Sequence, residues 1–149
     1  MNLDMRMVPF HDRFPKVAEH ELRILIISGD NKYNLPAGAY ALLESYCNLP
    51  LEKCDCRRVF LNVLYGKNIL ATIGYGWEGI GFYANWFGKG NPFSSDAIIR
   101  DIKGPILELS GYNSQHSHSL LNLFIDQVMN EPMFISKLER HYHMFKGRS

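Results

Sequence analysis

Arg57-Arg-Val-Phe-Leu-Asn-Val-Leu-Tyr65, Gly66-Lys-Asn68 and Ile69-Leu-Ala-Thr-Ile-Gly-Tyr75 read as two strands hinged on a short turn. Both runs are rich in β-branched and aromatic residues, which fit a pleated, half-buried surface. Gly66 starts a turn of hairpin type, so the runs pair antiparallel. Upstream, Ala39 to Cys47 alternates, with Tyr40, Leu42, Glu44 and Tyr46 on one face and Ala41, Leu43, Ser45 and Cys47 on the other. Its Ala, Leu and Glu also suit a helix. The strand is preferred because it delivers Cys47 to a loop that opens the next strand. Glu21 to Ser28 is a compact apolar run closed by Ser28-Gly-Asp-Asn31, a fourth strand. The result is a meander near 21–28, 39–47, 57–65 and 69–76, which needs an apolar cover on one face.

The second half supplies that cover. Gly79 to Phe87 reads as a short aromatic helix, and Ala97 to Ile102 as another, with capping residues in Asn91–Asp96 and a stop at Gly104-Pro105. Residues 104–118 read as a long ordered loop. Ser117 or Ser119 then caps a helix over 120–129, with Leu120, Leu121, Phe124, Ile125 and Val128 on one face. Pro132 starts a last helix, in which Phe134, Leu138, Tyr142 and Phe145 share a face. Lys137, Arg140, Lys146 and Arg148 sit toward its end, where positive charge suits the helix dipole. The fold class is α+β, an antiparallel sheet of about four strands covered by C-terminal helices. The whole of 1–149 forms one domain, in which 1–20 is an irregular N-terminal arm with a helical turn near Pro15–Glu19.

Charge is nearly balanced, 16 Lys+Arg against 15 Asp+Glu, so no broad field points to nucleic acid or an anionic membrane. No apolar run approaches the roughly 20 residues of a membrane span. The start shows no secretory pattern. The reading is a soluble, cytoplasmic protein.

All three cysteines fall within Tyr46-Cys-Asn-Leu-Pro-Leu-Glu-Lys-Cys-Asp-Cys-Arg-Arg58. An odd count argues for thiolate chemistry over a disulfide framework. Cys54 and Cys56 flank one residue, so their side chains leave an extended backbone on the same side. Asn48-Leu-Pro-Leu51 folds Cys47 back toward them, and Asp55 points away to cap the turn. Zinc takes four ligands and favours thiolate sulfur at about 2.3 Å. Arg57 and Arg58 would offset the negative charge. The expectation is a structural zinc site of Cys47, Cys54 and Cys56. His141 is named as fourth ligand, with His118, His116, His143, water or another subunit as the other choices. Three inert buried thiols, or a redox or catalytic cysteine, are the competing readings.

The glycine-rich runs Gly74–Gly81 and Gly88–Gly90 match neither a phosphate loop nor a dinucleotide fingerprint. Trp77, Phe82, Tyr83, Trp86 and Phe87 read as core cover more readily than as a stacking platform. Tyr46-Cys47, Cys54-Asp-Cys-Arg-Arg-Val59 and Ile73-Gly-Tyr-Gly-Trp-Glu78 together resemble a family of uncharacterised bacterial proteins with a Cys-Asp-Cys-Arg signature. That resemblance implies a bacterial source and no established activity. The cysteine pattern lacks the adjacent Cys-Cys or Cys-His end of the SEC-C metal motif.

Two functions lead, ahead of a weaker third, a nucleic-acid-binding module using Arg57, Arg58 and exposed aromatics. The first is a zinc-stabilised binding or adaptor domain without enzymatic activity, engaging an unknown protein partner. The alternative is a metal-dependent hydrolase or nucleic-acid-processing enzyme. That enzyme needs an open zinc position and a convergent carboxylate, Glu44, Glu52 or Glu78. Partner, oligomeric state and substrate are not encoded legibly.

Overall fold

The hairpin turning at Gly66 lies inside a six-stranded antiparallel sheet in the computed structural model, which describes residues 5–92 and 94–147. The chain runs β1 (Met7–Pro9), α1 (Phe10–Arg13), α2 (Pro15–His20), β2 (Arg23–Ile27), β3 (Gly38–Cys47), β4 (Arg58–Tyr65) and β5 (Asn68–Gly76). It continues with α3 (Ile80–Tyr83), drawn out by a π-helical turn at Ala84–Gly88, then α4 (Asp96–Lys103) and β6 (Ile106–Leu107). Last come α5 (Ser117–Leu123), with a second π-helical turn at Phe124–Val128, and α6 (Pro132–Phe145). The start at Met1 and the cation Arg148 lie outside the described residues.

The four expected strands are present as β2 to β5, and two short ones join them. The sheet order is β1-β3-β4-β5-β6, and β2 also pairs with β3. β1 lies against the end of β3, with Met7 opposite Cys47 and Pro9 opposite Ser45, while β2 lies against its start, with Arg23 opposite Leu42. Pro9 lacks an N–H, which a short edge strand tolerates. The N-terminal arm is therefore not irregular: it carries β1, α1 and α2. The loop at 104–118 is ordered as expected, and β6 within it pairs with Ile73 and Gly74.

Alternation along the strands builds one buried face. Leu42 pairs with Val63 and Val63 with Ala71; Glu44 pairs with Leu61 and Leu61 with Ile73. These side chains are buried together with Phe10 of α1, Leu120 and Leu123 of α5, and Phe134, Leu138, Tyr142 and Phe145 of α6. Each large apolar side chain withdrawn from water in this way contributes about 1.5–3 kcal/mol. Aromatic contacts tie the layers: Tyr46 meets the Tyr142 ring at 6.0 Å and Phe145 at 5.7 Å, and Tyr75 meets Phe124 at 5.7 Å.

Three local readings change. Ser95 caps α4 as anticipated, accepting from the Ile98 N–H, but α5 is preceded by His116, whose side chain makes no capping bond. The π turn widens the helix after Leu123, so Phe124 and Val128 stay buried while Ile125 is turned out to 38 % exposure. In the aromatic run only Tyr83 is fully buried; Trp86 rides the other π turn at 41 % exposure.

Candidate functional site: a thiol cluster beside a polar pocket

β3 ends at Cys47, and the loop to β4 carries Cys54 and Cys56. Pro50 starts a turn in which its carbonyl accepts from the N–H groups of Lys53 and Cys54. That turn reverses the chain. All three cysteines are buried and free, and their thiols lie within hydrogen-bonding reach of one another. Cys47 Sγ also accepts from the Leu49 N–H at 3.4 Å. Donation from Cys54, then Cys56, pulls Cys47 far below the ordinary thiol range, against the effect of burial. Cys54 is pushed up because its proton is held in the bond to Cys47, and Cys56 is raised by its own bond to Cys47. Cys47 is thus the thiol of the three most favoured to lose its proton. Lys146 favours that loss and anchors the loop, donating to the carbonyls of Leu49 and Cys54.

Arg57 sits immediately after the cluster in a left-handed conformation, φ 51°, which non-glycine residues rarely adopt. Two tyrosines hold it there. The Arg57 N–H donates to Tyr142 Oη at 3.2 Å, and Tyr83 donates to the Arg57 carbonyl at 2.8 Å. The guanidinium pairs with Glu78 at 3.0 Å and Asp55 at 3.1 Å and lies 4.6 Å over the Phe82 ring. Asp55, read from sequence as a turn cap, accepts from Arg57 and from Tyr142 at 2.9 Å. Arg58 diverges and pairs with Glu108 at 2.9 Å. The stretches Cys54–Val59 and Ile73–Glu78 meet through the β4–β5 pairing, Arg58 opposite Gly76 and Val59 opposite Tyr75, and the Arg57–Glu78 pair extends that contact beyond the strand ends. Beyond them lies a pocket of about 290 Å³ walled by Arg57, Trp77, Glu78, Glu139, Tyr142 and His143.

The histidines divide. His141 is 1 % exposed, and its ring stacks on Phe10 at a centroid distance of 4.1 Å. Both ring nitrogens meet carboxylates, Nδ1 at 2.7 Å from Glu44 and Nε2 at 3.0 Å from Glu21. The residue assigned from sequence to the fourth zinc position thus occupies a buried ion network. Tyr46 donates to the same Glu44 oxygen at 2.6 Å, Lys137 lies 3.4 Å from the other, and Arg140 forks onto Glu21. His118 is exposed on α5, His116 precedes it, and His143 lines the polar pocket. Among the described residues, no group of three or more His, Cys, Asp or Glu side chains is disposed to hold a metal ion.

The carboxylates considered for catalysis do not converge. Glu44 is committed to the buried network, Glu78 to Arg57, and Glu52 is exposed. Sequence reasoning missed Tyr142 of α6 and Lys146 just after it, which organise the cysteine loop. Their only signal was a polar group on an otherwise apolar helix face. Comparison with protein-family models, curated proteins and solved structures found no match to this chain. No helix among the described residues is long and apolar enough to cross a membrane.

Proposed function

We propose that this chain is a small binding or adaptor domain, without enzymatic activity, whose cysteine loop takes up one zinc ion. The observation that carries the reading is the convergence of Cys47, Cys54 and Cys56 on one another from two sides of a single turn. Three thiolates are a strong donor set for a soft divalent ion. Uptake requires loss of the thiol protons and rotation of the side chains toward the ion. Water or a partner's group completes the shell, because His141 is held by Glu44 and Glu21. The dispersal of Glu44, Glu52 and Glu78 supports a structural role over hydrolysis.

Cobalt(II) titration of the reduced protein tests the donor set. Intense thiolate-to-cobalt absorption, saturating near one ion per chain and displaced by zinc, is the expected outcome. Absorption unchanged in Cys54→Ser, or none in the native chain, removes the site.

A further inference from the structure

We infer that the pocket beside the cysteine loop binds an organic cation, a guanidinium or ammonium group. Its walls are two carboxylates, Glu78 and Glu139, two aromatic rings, Trp77 and Tyr142, the imidazole of His143, and Arg57, whose guanidinium is paired with Glu78 and Asp55. The rings meet edge to face at 5.2 Å, and the Tyr142 ring already has the Lys146 ammonium 5.5 Å from its centroid, which shows the attraction of this π surface for cations. His143 Nδ1 is buried without a hydrogen-bond partner. A buried nitrogen left unpaired is costly, so the His143 ring is held there by its surroundings rather than by a bond of its own.

The cations already present are occupied. Arg57 is neutralised by Asp55 and Glu78 and covered by Phe82. Lys103 donates to the carbonyls of Gly76 and Glu78, and Lys146 to those of Leu49 and Cys54, and neither lines the pocket. Glu139 is exposed and makes no ion pair among the described residues, one turn before His143 on α6. With the Arg57 charge neutralised by Asp55 and Glu78, the Glu139 charge and the π wall together favour a positive group over an anion. A left-handed Arg57 clamped by two tyrosines fits a wall held in a costly shape for recognition. The pocket goes beyond the zinc reading and does not depend on it.

The test is a ¹H–¹⁵N titration of the full chain, metal-free and zinc-treated, following the Trp77 indole N–H. The probes are Nα-acetyl-arginine amide, Nα-acetyl-lysine amide, butylammonium and inorganic phosphate. Saturable shifts with the cations, at least tenfold weaker in Glu139→Gln, are expected; that variant removes an exposed charge and leaves the fold intact. Tighter binding of the arginine amide assigns the cation to a partner protein's side chain. Equal binding of butylammonium shows that the pocket takes an ammonium as readily as a guanidinium, and Nα-acetyl-lysine amide binding no tighter than butylammonium assigns it to a free amine. Shifts with phosphate alone, no shift with any of the cations, or equal cation binding by Glu139→Gln overturns the inference.

Discussion

At the scale of single residues, the controlling fact is a carboxylate in the core. Glu44 lies between Leu42 and Tyr46 on the buried face of β3 and is 8 % exposed. An isolated charge there would be prohibitive, so Tyr46, His141 and Lys137 surround it. His141 bridges this carboxylate to that of Glu21, one ring nitrogen on each. His141→Ala should cost about 3 kcal/mol in urea unfolding, because it strips Glu44 of a donor and Phe10 of its stacking partner. A loss below about 0.5 kcal/mol would show that the network is idle. Glu21 supplies a pH dependence. Hydrogen bonding from Arg140 is the largest influence, and it holds the Glu21 carboxyl at about 2, against an ordinary 4.5. A depressed acid stabilises the fold above its ordinary value and loses that contribution as pH falls from about 4.5 toward 2. The partners are substantially exposed, so screening limits the effect to about 1 kcal/mol. Glu21→Gln should flatten that part of the pH–stability curve measured by chemical unfolding. The network was only half legible in sequence. Glu44 stood out as a charge on an apolar face, but its histidine partner is 97 residues away, and nothing local distinguishes a core histidine from a ligand.

At the scale of elements, periodicity found the long strands and α6 and failed where the backbone leaves its regular period. The π turn after α5 adds a residue to the helical turn, so Ile125 drops off the apolar stripe while Val128 stays on it. Val128→Ala should therefore destabilise by about 2 kcal/mol and Ile125→Ser by less than about 0.5 kcal/mol, measured by thermal unfolding. Equal costs would mean that the regular helical register is correct. β1 and β6 escaped detection because three and two residues are too short for alternation, and their pairing partners lie far along the chain. The glycines of Gly74-Tyr-Gly76 have a packing cause. A Cβ on Gly76 would lie 2.2 Å from Tyr83 Oη, and one on Gly74 would lie 1.9 Å from Glu108. Gly76→Ala should displace the Tyr83 hydroxyl from the Arg57 carbonyl and cost about 2 kcal/mol, with the Arg57 amide resonance moving in NMR. An unmoved resonance would break the link between β5 and the cysteine loop.

At the scale of the whole molecule, α6 is the strut between two polar centres. Lys137, Arg140 and His141 serve the Glu44 network, while Tyr142, His143 and Lys146 serve the cysteine loop and its pocket. The clustering of the cysteines was plain in sequence because all three lie on one turn. Their neighbours were hidden because α6 lies more than 80 residues further along. Zinc would fasten the loop that α6 braces, coupling metal to the stability of the domain. Elemental analysis of the full chain purified without added metal tests that claim most directly, with Cys54→Ser run beside it. The account requires about one zinc per chain in the native protein, and in the variant loss of the metal with a lower unfolding temperature. Native protein that carries no zinc, takes up none when it is offered, and unfolds at the same temperature as Cys54→Ser would contradict it.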